Sequence, residues 1–417
     1  MEIRRDKYLQ QLIGSRHNQL IKVVTGIRRC GKSYLLFELF YKYLKENGVE
    51  ESHIIRIDLE DRRNIALRDP DALLHHIDAL MTDADMYYIL LDEVQHVPEF
   101  EDVLNSYLHV KNADVYATGS NSKFLSSDII TEFRGRSDQI HISPLSFAEF
   151  YSAVGGAESD AWNAYARYGG LPHVVSLLSD ERKSQYLSDL YESVYKRDII
   201  ERNKLAKSHE FDELVKIMAS SIGAPCNPSK LSKTFKSVEN TNLTYDTIAR
   251  YLKFMEDAFL IHKAERYDVK GKKYINSLSK YYFSDIGLRN ALLNFRQQEE
   301  THIMENIVYN ELCIRGFKVD VGVVEKRVRN AEHKMERRQY EVDFVANLGS
   351  KRYYIQSALA LPTREKTQQE SNSLSSIHDN FQKIIIVKDA GIHWHTDDGI
   401  LVLSLFDFLL RPESIDW

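Results

Sequence analysis

Apolar residues at helical spacing open the chain: Ile3, Tyr8, Leu9 and Leu12 predict a short amphipathic helix over residues 1–15. Short apolar runs then alternate with helical ones. Strands are predicted at 20–25, 53–58, 87–91, 114–118 and 139–142, with helices at 32–47, 71–81 and 100–109. In the helix over 32–47, Leu35, Leu36, Leu39, Phe40 and Tyr43 recur at helical spacing. Strands that alternate with helices imply βαβ crossovers and a parallel sheet. From about 145 to 260 the pattern turns mostly helical, broken by the polar stretch 223–229. Beyond 300 a helix at 301–315 precedes strands at 318–324, 340–347, 352–358 and 383–387, a second α/β region. The segment 361–376 is polar without being low in complexity, and no internal repeat is visible.

At 417 residues the chain is too long for one ordinary domain, and two to three are expected. With 43% hydrophobic and 28% charged residues it has the balance of a chain that builds cores, not of a disordered one. A net charge of -6 rules out a polybasic coat for nucleic acid but leaves room for a local basic face. Cys30, Cys226 and Cys313 are far apart and form no C-x-x-C pair, which speaks against a disulfide framework or a zinc ribbon and fits a reducing cytosol. The first residues lack the apolar core of a signal peptide, and no apolar run approaches about 18 residues, so a cytoplasmic chain without a membrane span is expected.

Candidate chemistry begins at Gly26-Ile27-Arg28-Arg29-Cys30-Gly31-Lys32-Ser33, a full G-x-x-x-x-G-K-[ST] match set between a predicted strand and a predicted helix, with Tyr34 next. Glycines let the backbone curl so that its N–H groups face phosphate oxygens, and the helix N-terminus adds the positive end of its dipole. Lys32 can reach the β- and γ-phosphates of ATP, and Ser33 can ligate Mg²⁺. Cys30 is open to oxidation in such a loop, although a small neutral residue is the simpler reading.

About 60 residues on, an apolar strand ends in Asp92-Glu93. Asp92 would hold Mg²⁺ through water, and Glu93 could polarise the attacking water; acidic strand ends also serve as plain solvated loop starts. No Asn-Lys-x-Asp guanine reader is evident. The stretch 117–122 ends another strand in hydroxyl and amide groups, where Asn121 either senses the γ-phosphate or, with Ser122, caps a helix. Before the next strand come Arg134 and Arg136. One of them could stabilise charge on phosphate, in cis or from a neighbouring subunit, or both form surface ion pairs.

Taken in order, G-I-R-R-C-G-K-S, L-L-D-E-V-Q, T-G-S-N-S, R-G-R, P-L-S-F-A-E-F at 144–150 and Gly169-Gly170-Leu171-Pro172 resemble the AAA-type prokaryotic P-loop ATPases that carry a C-terminal nuclease-like domain of unknown function. The resemblance covers nearly the whole chain. It implies an ATPase core with an additional strand (1–150), a helical lid (151–205), a winged helix (206–290) and a restriction-endonuclease-like end (291–417). It also implies that the turn 169–172 lies in the lid and couples it to nucleotide; as residues alone these read as a tight turn.

The middle of the chain resembles a helix-turn-helix, with Leu231, Phe235, Ile248, Leu252 and Met255 as its core and strands at 260–267 and 273–283 as a wing tipped by 268–272. Between 216 and 280 twelve lysines and arginines, Lys280 among them, face six acidic residues, a net of +6. Duplex DNA is therefore an expected partner through 228–280, against a winged helix used only for packing or subunit contact. At the C-terminal end, Glu305 on a helix, Asp343 on a strand and Gln356 on the next resemble the nuclease pattern in which carboxylates bind Mg²⁺. The lysine slot two residues after Gln356 holds Ala358, which argues against cleavage. Glu311 and Glu341 read as structural or solvated, and His393-Trp394-His395 lacks a third ligand nearby in sequence.

The combined expectation is an α/β chain: a P-loop parallel sheet with helices, then a helical lid and winged helix, then a smaller restriction-endonuclease-like α/β domain. It would bind and hydrolyse ATP with Mg²⁺ and couple nucleotide state to DNA or to a protein partner, with oligomerisation open. A slow nucleotide-dependent switch and an ATP-regulated Mg²⁺ nuclease are the alternatives.

Overall fold

The strand β1 (Ile21–Gly26) is buried at all six positions, as a strand covered on both faces must be. The computed structural model describes residues 3–119, 133, 135–205, 208–238, 243–274, 278–297, 299–329, 335–389 and 391–417. Contacts divide them into two units, residues 1–144 with 257–259, and 145–256 with 260–417.

In the first unit α1 (Asp6–Gly14) precedes β1, and β1 leads into α2 (residues 32–46), which passes through a π-helical stretch, Leu35–Phe40. Then come β2 (Ile54–Asp58), α3 (Pro70–Leu80), β3 (Tyr87–Asp92), α4 (Phe100–Ser106), β4 (Ala113–Thr118) and β5 (Ser137–Ile142). Every strand pairing is parallel, in the order β2-β3-β4-β1-β5. The strand that follows β3 in sequence is thus inserted between β1 and β3. All five expected strands are present within a few residues of their predicted ends. Lys22, the one charged residue inside β1, is tolerated because its ammonium meets the Asp114 carboxylate on β4, which also accepts from the Tyr116 hydroxyl.

The second unit opens with helices α5 (Phe147–Val154), α6 (Glu158–Tyr168), α7 (Pro172–Ser176), α8 (residues 180–203), α9 (Ser208–Ser220), α10 (Pro228–Val238) and α11 (Tyr245–Asp257). Of the five expected helix-turn-helix core residues, Phe235, Ile248, Leu252 and Met255 are buried and Leu231 is half-buried. The expected wing differs. Its two strands break into four: β6 (Ile261–Ala264) pairs with β9 (Lys280–Phe283), while β7 (Arg266–Asp268) and β8 (Lys273–Tyr274) join another sheet. The cause is an open strand edge: β7 lies parallel to β10 (Lys318–Arg329), which supplies the backbone partners a free wing would leave to water. The mixed sheet continues through β11 (Met335–Leu348), β12 (Lys351–Ala358), β13 (Gln382–Val387), β14 (Trp394–His395) and β15 (Leu401–Ser404), in the order β14-β15-β13-β12-β11-β10-β7-β8. β10 and β11 outrun the expected strands 318–324 and 340–347 by several residues at the hairpin end.

Between the helices and this sheet lies α12 (Ile286–Leu292), six of whose seven residues are buried. Asp285 caps it, accepting the Leu288 N–H at 2.9 Å, and accepts the Gly170 N–H at 2.7 Å on its other oxygen. This explains the Gly-Gly-Leu-Pro turn. A Cβ on Gly169, whose φ is +72°, would sit 2.3 Å from the Asp285 carboxylate. Burial pushes the Asp285 carboxyl up to about 6, while the backbone N–H groups around it pull the other way. Asn290 caps the end of α6 by donating to the Ala166 and Arg167 carbonyls, both at 2.9 Å, and the buried Arg289 donates to the Ala219 carbonyl at 2.7 Å.

Asp285→Ala should destabilise the second unit by about 1–3 kcal/mol for each buried N–H left without an acceptor. Urea denaturation followed by tyrosine fluorescence measures this; a loss below about 0.5 kcal/mol, the level of ordinary surface changes, would contradict the anchoring role.

Candidate functional site

Where β1 ends, the chain turns sharply. Gly26 has φ +145°, Arg29 +68° and Gly31 +100°. A Cβ at Gly26 would lie 2.2 Å from the Ile142 carbonyl of β5, so only glycine fits there. Ile27 and Cys30 are buried beneath the loop, and the Cys30 thiol points at the same Ile142 carbonyl, 3.4 Å away. That burial favours Cys30 as packing. Arg5 holds the loop from outside, donating to the carbonyls of Cys30 (3.4 Å) and Ser143 (2.6 Å). The Lys32 ammonium sits inside the curl, bonded to the carbonyls of Gly26 (3.1 Å) and Ile27 (3.3 Å). Arg28 reaches Glu60 at 3.4 Å, Arg29 is exposed, and Ser33 and Tyr34 begin α2.

Asp92 ends β3 almost fully buried and Glu93 follows in left-handed conformation, φ +53°. A side chain carried there is held by its surroundings, as happens at functional sites. The holder is Thr118, at the end of the inserted β4. Its hydroxyl accepts the Glu93 N–H at 3.1 Å and donates to the Asp92 carboxylate. Gln95 donates its amide to the Glu93 carboxylate. Burial raises the Asp92 carboxyl above its ordinary value, opposed by hydrogen bonds from Ser33 and Thr118, and the nearby Glu93 charge raises it further. Lys32, Ser33, Asp92 and Glu93 thus converge at the carboxyl end of the sheet. Thr118 and Gln95 were missed as site residues. Thr118 stood in plain view at a strand end, but its double bond depends on strand order, which spacing does not reveal.

Asn121 and Arg134 lie outside the described residues. Arg136 is exposed at the start of β5, and its carbonyl accepts the Ile21 N–H at 3.1 Å. That is the end of the sheet opposite Gly26, which pairs with Ile142. About six residues of strand, roughly 20 Å, separate it from the loop. The in-cis role expected for Arg136 is therefore excluded by distance, which leaves a role toward another subunit or a plain surface ion pair.

In the second unit, α13 (Glu300–Ile314) carries the buried Glu305. Its carboxylate accepts from the Lys280 ammonium (2.9 Å) and the Tyr282 hydroxyl (2.7 Å), and Lys280 also pairs with Glu341 at 2.8 Å. The β10–β11 register shifts between Asp320 and Gly322, so Asp343 and Phe344 stand opposite one residue. Such a bulge re-aims side chains. Asp343 accepts from the Ser357 N–H (2.8 Å) and hydroxyl (3.1 Å); burial first, and the Glu305 charge second, push its carboxyl up to about 7, against the pull of Lys280. Glu305 and Asp343 are therefore brought together around a lysine. Gln356 instead meets the Ser373 hydroxyl of α14 (Arg364–Ser375) at 3.4 Å, and Ala358 packs into an apolar cluster with Leu374 and Val387. Lys280 is a correction to the basic count for DNA: it is buried and already neutralised. Glu311 pairs with Arg315 at 2.7 Å, as a structural residue does. His393 packs its ring on Trp417, 4.7 Å between centroids. No helix among the described residues is long and apolar enough to cross a membrane.

Residues 18–151 match the family described as an AAA domain, and residues 159–299 match a domain of unknown function. An uncharacterized protein of Haemophilus influenzae is 33% identical over 417 residues, covering 98% of this chain and 99% of the relative. An uncharacterized protein of Methanocaldococcus jannaschii is 29% identical over 397 residues, 91% of this chain and 84% of that one. Among solved structures, AMPPCP-bound DnaA from Aquifex aeolicus aligns with a TM-score of 0.27 and 14% identity over 60% of this chain and 86% of its own. The Aeropyrum pernix ORC1 protein in complex with DNA aligns with a TM-score of 0.31 and 11% identity over 70% and 92%.

Thr118→Val keeps the shape of the strand end but removes both hydroxyl bonds. ATP turnover should fall by roughly 10-fold or more, as for other lost positioning groups, with ATP affinity changed little. Turnover equal to wild type in a phosphate-release assay would show that Asp92 and Glu93 need no such clamp.

Proposed function

We propose that this chain, which belongs to the same family as the Haemophilus influenzae protein, is an ATP-hydrolysing AAA-type ATPase. The observation that carries the reading is the meeting of Ser33, Asp92 and Glu93 beside the ammonium-filled loop, with Thr118 joining the two acids. The residues fit the nucleotide. The tight Gly26 turn, packed on the Ile142 carbonyl, lets the loop curl, Lys32 offers an ammonium whose partners among the described residues are carbonyls of that loop, and Ser33 with Asp92 is a hard oxygen donor pair suited to Mg²⁺. Bound Mg²⁺ supplies neutralisation of charge on the β- and γ-phosphate oxygens. The loop N–H groups orient the phosphates. Glu93 takes the proton of the attacking water once its carboxylate is free of Gln95.

That Gln95 bond also favours a second reading, a slow nucleotide switch whose base is held back until a partner releases it. Multiple-turnover phosphate release separates the two. Wild type should turn over ATP, and Lys32→Ala should lose tight binding and orders of magnitude in rate, because it removes the ammonium set inside the loop. Turnover unchanged in Lys32→Ala would end the ATPase reading, and hydrolysis that stops after one equivalent would favour the switch.

The lid, winged-helix and nuclease-like labels stay part of this proposal, with duplex DNA as the expected partner of 228–280. The C-terminal cluster should not cut DNA. Its acids already hold an ammonium, and Ala358 faces the core. Plasmid incubated with pure protein in Mg²⁺ or Mn²⁺, with and without ATP, should stay supercoiled; nicking that vanishes in Asp343→Ala would overturn this.

A further inference from the structure

Past Val324 the hairpin of β10 and β11 runs on alone. β10 pairs with β7 only at Val321–Val323, and β11 with β12 only at Phe344–Leu348, yet the two pair with each other out to Arg329 and Met335. Residues 335–339 are all exposed. Successive strand residues face opposite sides, so both faces of β11 meet solvent along this stretch. An isolated two-stranded ribbon is marginally stable at best in water.

The register sets Lys326 opposite Arg338 and Arg327 opposite Arg337. Arg337 and Arg338 are consecutive, so one falls on each face of the ribbon. Glu336 offers Arg338 only a long contact of 3.9 Å between exposed groups, which is worth little. The paired stretches 325–329 and 335–339 together hold five lysines and arginines against two glutamates, within a chain of net charge -6. At the root, the Lys270 ammonium donates to the Glu325 carbonyl at 2.8 Å, so the basic turn 270–273 lies beside the arm.

We propose that this ribbon is a nucleic-acid-binding arm that enters a duplex groove, with Arg337 and Arg338 contacting phosphates of its two walls. It rests on the duplex-binding reading above and adds a surface which that reading did not contain. Charge on both faces selects the partner: a membrane or a flat acidic protein meets one face of a ribbon, whereas a groove has a phosphate backbone on each side. A two-stranded ribbon fits the major groove, about 12 Å wide, and five residues of strand reach about 17 Å. Arginine suits the task, since its planar fork binds phosphate oxygens in pairs.

The test is anisotropy of a labelled duplex with the full chain and ATP, between about 50 and 200 mM salt. It compares wild type, the double variant Arg337→Ser with Arg338→Ser, and the triple variant Lys270→Glu, Lys272→Glu, Lys273→Glu. The double variant should bind at least about tenfold more weakly and lose about two units of log–log salt slope, at roughly 0.9 per phosphate contact. Its melting temperature should stay close to that of wild type, since both arginines are exposed. Wild-type binding with no change in the double variant overturns the arm and leaves the duplex reading standing, whether or not the triple variant binds more weakly. A wild type that binds no duplex overturns both. A loss seen on phosphatidylserine vesicles and not on duplex makes the arm a membrane contact and overturns the proposal.

Discussion

Two buried carboxylates must be held side by side at the end of a strand, and one hydroxyl from the neighbouring strand ties them together. Thr118 bridges the Asp92 side chain and the Glu93 backbone from the neighbouring strand. It can do so only because β4 is inserted between β1 and β3, which spaces the acids one strand away from the loop that holds Lys32. The same insertion places Asp114 beside Lys22, so one strand neutralises a buried ammonium near one end of the sheet and fixes the acidic pair at the other. Left-handed Glu93 follows from that arrangement: its N–H turns toward Thr118, and its carboxylate toward Gln95.

Much of this was legible in the residue pattern. The five strands, the loop and the acidic strand end rest on local signals, namely apolar runs, two glycines at fixed spacing and a lysine before serine. What stayed hidden depends on long-range placement. Arg136 reads in the sequence as a phosphate-facing candidate before a strand, yet strand direction carries it to the end of the sheet away from the loop. Lys280 looked like one more phosphate contact because burial by Glu305 and Glu341 involves residues 25 or more positions away. The arm beyond Val324 has no apolar alternation at all, so periodicity could not mark it as strand. Only the backbone ladder between β10 and β11 does.

The second unit shows how polar groups can specify packing. Asp285, Arg289 and Asn290 are buried together on α12, and each ends on backbone groups of other helices or of the turn at 169–172. Removing any of them strands donors or acceptors away from water, which costs more than the bond itself contributes. The cluster around Lys280 follows the same logic with full charges, and its worth lies in pairing: removing Lys280 would leave buried carboxylates without a counter-charge.

In the proposed ATPase, Glu93 activates water while the rest of the site binds ATP. Equilibrium binding of a fluorescent ATP analogue and single-turnover hydrolysis of ATP, both measured on Glu93→Gln, separate those tasks. Binding within a few fold of wild type, with the chemical step slowed about 100-fold or more, is the expected result for a lost general base. Near-normal hydrolysis in the variant would contradict it, because the arrangement of Thr118, Asp92 and Glu93 would then serve something other than cleavage.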